Sequence, residues 1–131
     1  MPHLQFEFNR EIPDATKQKL SANVMRLFSD VMDTGADHVG ITIREVGTRG
    51  LALGRVEHPE DGIAFVNADI RAGRSPEQRR NLAIGFMEEI HTLCEIPHEN
   101  MYVIFTEHPG ESFHLYERVL SSWQAGEDPK A

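Results

Sequence analysis

Cysteine is nearly absent: Cys94 is the only one in 131 residues, which excludes an internal disulfide and a Cys-rich metal site and makes a reducing compartment the simpler expectation. Positive charge is also scarce. Thirteen Lys and Arg stand against twenty-one Asp and Glu, a formal net charge of −8, so the chain lacks the concentrated basic face that nucleic acid requires. No apolar run approaches the roughly 18 residues of a membrane span. The opening MPHLQFEFNRE has neither a basic n-region nor a long apolar stretch. A cytoplasmic protein with no nucleic-acid and no membrane partner is expected. The seven histidines show no ligand spacing with nearby carboxylates, and neither a metal nor another cofactor is predicted.

What the chain does have is an internal repeat. Leu20 and Leu82 stand 62 positions apart, and without a gap the same offset pairs Val24 with Phe86, Phe28 with Ile90, Ile41 with Val103, Glu45 with Glu107 and Phe8 with Ile70. Leu4, Phe6 and Phe8 alternate with His3, Gln5 and Glu7, the period of a half-buried strand, and Val39, Ile41 and Ile43 repeat the pattern. Residues 64–70 and 100–106 follow suit. Leu20, Val24, Leu27, Phe28 and Val31 make one stripe of a 3.6-residue period, with Leu82, Phe86, Met87, Ile90 and Leu93 as its counterpart. Ser75-Pro76-Glu77-Gln78 reads as a capping box with proline at N1, and Gly35 and Pro97 lie just beyond the two helices.

These signals predict an α+β fold: two β-α-β units, about 2–47 and 64–109, forming a four-stranded mixed sheet with both helices on one face. One domain over 1–123 is expected, with a polar tail from Gln124 to Ala131 for which disorder is the default. If the halves join through their first strands about a pseudo-twofold axis, Pro2 comes to lie near Ile70–Arg74, and the 38–40 segment also approaches the chain's start. The uncovered sheet face then carries His3, Gln5, Thr42, Arg44, Phe65, Asn67, Tyr102 and Ile104.

These residues carry a resemblance to the tautomerase superfamily over nearly the whole chain. Met1-Pro2 leads directly into the first strand, and Gly73-Arg74-Ser75-Pro76-Glu77-Gln78 is similar to the GRSxEQ segment of 4-oxalocrotonate tautomerase. Thr106-Glu107 followed by Phe113 is similar to that family's TE segment and its later pocket phenylalanine. The MPH start, with Ala64-Phe65-Val66 and Ala72-Gly73-Arg74-Ser75, resembles 5-carboxymethyl-2-hydroxymuconate isomerase. The spacing in Arg71-Ala72-Gly73-Arg74-Ser75 resembles the paired arginines of cis-3-chloroacrylic acid dehalogenase. The resemblance implies a cofactor-free isomerase acting in the degradation of aromatic or unsaturated acids, and a homotrimer.

The chemistry follows from the residue types. Removal of Met1 turns the Pro2 nitrogen from an amide into a secondary amine, and an α-amino group, ordinarily titrating at about 7.7–8.0, is lowered by burial and by neighbouring cations. Such an amine is neutral at pH 7 and able to act as a general base. Arg71 and Arg74 supply the cations, hold a small carboxylic acid substrate and spread developing enolate charge. Phe113 is the candidate pocket wall. Arg44 and Tyr102 are weaker substrate-binding candidates with a structural or interface role as the alternative.

Other residues read as structural. Cys94 falls on the core stripe of the second helix, Glu107 matches Glu45 through the repeat, and His38 is expected in an exposed turn. The dehalogenase relatives add a histidine, a tyrosine and a glutamate where this chain has Phe28 or Ser29, Ile104 and Leu115. The strand-two arginine of 4-oxalocrotonate tautomerase aligns with Gly40, or with Tyr102 in the second half. These departures favour simple proton transfer in a 2-oxo, enol or unsaturated acid. Two alternatives stand beside it: a hydratase, dehalogenase or decarboxylase using protonated Pro2 as acid, and a non-catalytic trimeric binding protein.

Overall fold

The computed structural model describes residues 2–119, with the backbone alone at Arg118; the expected tail from Gln124 to Ala131 lies outside the described residues. The elements are β1 (His3–Phe8), α1 (Asp14–Met32), β2 (Gly40–Glu45), β3 (Ala64–Arg71), α2 (Pro76–Cys94), β4 (Met101–His108) and a small hairpin of β5 (His114–Leu115) and β6 (Arg118–Val119). The main sheet has the order β2-β1-β3-β4. β1 is parallel to β2, β3 is parallel to β4, and β1 and β3 meet antiparallel at the centre with His3 opposite Asp69 and Phe8 opposite Ala64.

The repeat survives at the level of single residues. Both helices have 19 residues and begin and end 62 positions apart, and each closes on a left-handed residue, Asp33 (φ 51°) and Glu95 (φ 56°). The buried stripe of α1 is Leu20, Val24, Phe28 and Met32; that of α2 includes Leu82, Phe86, Ile90 and Cys94, each shifted by the same offset. They cover Leu4, Phe6 and Phe8 of β1 and Val66, Ala68 and Ile70 of β3, all at most 1% exposed. Phe6 and Phe86 meet edge to face with ring centroids 5.5 Å apart, a geometry that adds to what area burial alone contributes. The helices touch closely at Gly85, where an added Cβ would stand 2.5 Å from Leu27 Cδ2.

Ion pairing repeats too. Lys17 on α1 pairs with Glu45 at the end of β2, and Arg79 Nη1 on α2 donates to Glu107 Oε1 on β4 at 2.9 Å. Each pair ties the first turns of a helix to the end of the strand that follows it, which gives Glu45 and Glu107 the structural role their matching positions suggest. The Lys17 hydrogen bond holds the Glu45 carboxyl below its ordinary range and the Lys17 ammonium above its own.

Candidate active site

Pro2 is buried at the entrance to β1, where its carbonyl accepts the Gly40 N–H at 3.1 Å. The antiparallel register sets the end of β3 beside it, since His3 faces Asp69 and the next step outward faces Ile70. From there the chain turns at Gly73 (φ 110°) into the Ser75 cap. The positive φ is one that glycine adopts without steric cost, and it leaves room for Arg71 and Arg74 at the same end of the sheet. Ser75 accepts from the Gln78 N–H at 3.0 Å and Gln78 Oε1 accepts from the Ser75 N–H at 2.9 Å, the predicted capping box.

Both arginines are buried, Arg71 at 5% and Arg74 at 7% exposure. Arg71 has the strand parity of Phe65 and Asn67, which by alternation alone would set it on the polar, open sheet face; its burial corrects that placement, at the last residue of β3. Arg74 Nη1 donates to the Met32 carbonyl at 2.6 Å, so it caps the C-terminus of α1, whose last turn has no basic residue of its own. Burial lowers the Arg74 pKa, the neighbouring Arg71 charge lowers it further, and Asp33 opposes both. Two desolvated cations side by side attract an anion, and a planar guanidinium suits a carboxylate.

The other candidates distribute unevenly. Phe113 is half-buried and meets the His108 ring edge to face at 5.7 Å; His108 is the β4 partner of Arg71, so Phe113 stands at the arginine end. Arg44 does not. It donates to Gln5 Oε1 at 2.9 Å on the open face, four residues along β2 from Gly40 and therefore about 13 Å away at roughly 3.3 Å per residue. Tyr102, 52% exposed, packs edge to face on Phe65 at 6.1 Å and helps line an apolar depression of about 310 Å³ with Leu53, Phe65 and Ile104. This depression lies at the far end of the sheet from Pro2, beside Glu7.

Two features escaped sequence reasoning. His38, expected in an exposed turn, is in a turn but buried at 7% exposure, with Nδ1 3.2 Å from Asp37 Oδ1. His108 Nε2 lies 2.8 Å from Asp69 Oδ1, and Gln5 Nε2 donates to the other Asp69 oxygen at 3.4 Å. Only the strand register shows that these residues are neighbours.

The second half contains a filled counterpart of this region. Shifting Arg71, Arg74 and Pro2 by the repeat offset of 62 gives Asn9, Ile12 and Ala64. Asn9 Oδ1 accepts from the Ile63 N–H at 2.7 Å, and its amide donates to Pro59 and Thr48 carbonyls at 2.8 and 3.0 Å. There the main chain running into Ala64 occupies the place in front of the strand. A cavity of about 320 Å³ remains beside Arg10, Ile12, Pro13, Cys94 and Glu95, the counterparts of Ala72, Arg74, Ser75, Met32 and Asp33. It has neither a chain-end amine nor a pair of buried arginines, so the constellation occurs once in the described residues.

No protein-family model and no curated protein sequence matches the chain. Its structure resembles that of N1, a member of the cis-3-chloroacrylic acid dehalogenase (cis-CaaD) family, with a TM-score of 0.82 at 22% identity over 92% of this chain and 84% of that one. It also resembles the F6 fused 4-OT asymmetric trimer (TM-score 0.76, 20% identity, 89% of this chain and 94% of that). A third likeness is to Pt0534 inactivated by 2-oxo-3-pentynoate (TM-score 0.77, 12% identity, 91% and 95%). The chain has the tautomerase β-α-β fold. Among the described residues, no helix is long and apolar enough to cross a membrane, and no group of three or more His, Cys, Asp or Glu side chains is arranged to hold a metal ion.

Proposed function

We propose that the protein is a cofactor-free tautomerase that moves a proton in a small 2-oxo, enol or unsaturated carboxylic acid, with the Pro2 amine as base after removal of Met1. The observation that carries this reading is the convergence of Pro2 with two buried arginines at one end of the sheet, a combination the otherwise symmetric second half replaces with Ala64, Asn9 and Ile12. Arg71 and Arg74 hold the substrate carboxylate and keep the nearby amine neutral, because a like charge disfavours its protonated form. The same two cations stabilise the enolate oxygen as charge develops on it. Phe113 closes the apolar side. With Arg44 and Tyr102 away from Pro2 in a single chain, a monocarboxylate held by Arg71 and Arg74 fits better than a dicarboxylate.

The assembly we propose is a homotrimer. The open sheet face exposes Tyr102 at 52% and Ile104 at 48%, and apolar surface of this kind is most readily covered by another subunit; the similar F6 fused 4-OT is itself a trimer. In such an assembly Arg44 and Tyr102 become available to a neighbouring pocket. The second reading, water addition, dehalogenation or decarboxylation with protonated Pro2 as acid, is favoured by the fold likeness to the dehalogenase-family protein N1.

The test begins with intact mass, which must show loss of one methionine. Ketonisation of phenylenolpyruvate is then compared in wild type and Pro2→Ala. Loss of most activity supports the Pro2 reading; equal rates refute it. A 3-halo acrylate and a 3-oxo acid, followed by product analysis, separate the second reading. The inactivator of Pt0534, 2-oxo-3-pentynoate, supplies an independent check: one adduct per chain is expected, located on Pro2.

A further inference from the structure

We propose that His38, oriented by Asp37, is a second proton-transfer group of the Pro2 site, taking and returning the proton on the substrate's 2-oxygen while the Pro2 amine works at carbon. This rests on the tautomerase reading above. Three observations carry it.

The first is placement. Gly40 is the β2 partner of His3 and its N–H bonds the Pro2 carbonyl at 3.1 Å, so one step back along the parallel pair sets Val39 beside Pro2, with His38 the next residue out, on the side of the Pro2 nitrogen. Adjacent strands are about 4.8 Å apart. A turn closed by the Val39 N–H on the Ala36 carbonyl at 3.1 Å fixes His38 in that position.

The second is the internal repeat, which places the ring independently. Offset by 62, His38 becomes Asn100 and Arg71 becomes Asn9. Asn100, buried at 7% exposure, donates from Nδ2 to the Gly62 carbonyl at 2.9 Å, and Asn9 holds the Ile63 N–H. The two asparagines thus grip the two residues in front of Ala64, the counterpart of Pro2. By the same geometry His38 and Arg71 flank the space in front of the Pro2 nitrogen. In the second half main chain fills that space; in the Met1-processed first half it is where a substrate must lie to reach the amine.

The third is chemistry. The His38 imidazole is 3% exposed and its Nδ1 faces the Asp37 carboxylate at 3.2 Å. A carboxylate only accepts, so in the neutral ring Nδ1 carries the hydrogen and Nε2 the lone pair, the base-plus-orienter arrangement used to set a histidine tautomer. In the enol-to-keto direction Nε2 takes the enol O–H proton and passes it through water to the neutral Pro2 amine; the O–H electrons form C=O, and the C=C electrons form the new C–H bond with the proton from the Pro2 ammonium so made. Each group ends as it began, His38 with its lone pair and Pro2 as a neutral amine, which closes the cycle without a co-reactant.

The experiment compares His38→Asn, which keeps a donor toward Asp37 and removes Nε2, with His38→Gln and Asp37→Asn in Met1-processed protein, using phenylenolpyruvate. A positioned acid or base contributes about a hundred-fold or more. H38N is therefore expected to lower kcat by about that factor with KM within a few-fold, while the Pro2 nitrogen still titrates and still forms its 2-oxo-3-pentynoate adduct. H38Q is expected to recover part of kcat through hydrogen bonding to the 2-oxygen. Wild-type kcat in H38N overturns the proposal, and if Pro2→Ala is inactive in the same assay the Pro2 reading is untouched. Should H38N fail to fold, Asp37→Asn carries the test, because that side chain is 79% exposed. A several-fold lower kcat at unchanged KM supports the proposal and an unchanged kcat overturns it.

Discussion

Replacing Arg74 with methionine removes a charge while preserving most of the side chain's length, and the structure sets the size of the effect twice over. For stability, the variant loses the charge-assisted hydrogen bond to the Met32 carbonyl, a class of bond that contributes about 1.5–3 kcal/mol. It also loses a cation at the end of α1, where no other basic residue serves the last turn, adding about 0.3–1 kcal/mol. Against these stands relief from burying a guanidinium beside Arg71, the two effects that lower the Arg74 pKa. The net is a loss of about 1–2 kcal/mol, or roughly 4–8 °C in Tm for a domain of this size, at fixed chain concentration so that any oligomer contributes equally. For activity, the lost contact to substrate carboxylate is of the same charge-assisted class, so kcat/KM for phenylenolpyruvate falls about ten- to a hundred-fold. Differential scanning calorimetry and initial rates on one preparation measure both. An unchanged Tm with unchanged kcat/KM would refute both roles; a lower Tm with unchanged kcat/KM leaves Arg74 as the α1 cap alone.

Other perturbations test the fold beneath the site. Ser75→Ala removes the hydroxyl half of the α2 capping box and should cost about 1 kcal/mol in urea unfolding, without the activity loss of Arg74→Met. Phe86→Ala empties a fully buried position against Phe6 and should cost about 3–5 kcal/mol; a loss below about 1 kcal/mol would mean that the helix layer is packed differently. Burial pushes the Cys94 thiol from 9.0 to about 11, so iodoacetamide at pH 8 should label it only after unfolding. The folded value lies above the unfolded one. Its contribution to stability is therefore complete below pH 9.0 and lost as pH rises towards about 11, and Cys94→Ala should remove that part of the alkaline decline.

Most of the scaffold could be read from residue patterns because each signal was local or strictly periodic. The offset of 62 that relates Leu20 to Leu82 also relates the helix limits, the left-handed caps and the Lys17–Glu45 and Arg79–Glu107 pairs. Antiparallel joining through β1 and β3 then brings Pro2 beside Arg71. The burial of His38 was not legible: a polar residue in a turn is ordinarily exposed, and this one is 7% exposed. The Asp69–His108 contact requires the β3–β4 register, which hydrophobic alternation fixes only to the correct face. The β5–β6 hairpin is too short, at two residues per strand, for alternation to reveal. Arg44 shares the sheet face of Gly40, and how far it stands from Pro2 follows only from the β1–β2 register.

The proposed mechanism needs Pro2 to carry a free amine that is neutral at working pH because Arg71 and Arg74 stand beside it. Nitrogen-15 NMR of proline-labelled protein tests this directly by following the Pro2 resonance through a pH titration. The expected result is a secondary amine that titrates below the ordinary α-amino range of about 7.7–8.0, moving upward when Arg74 is replaced by methionine. A proline nitrogen that does not titrate, as an amide behind a retained Met1 would not, or one that titrates above that range and ignores Arg74, would contradict it.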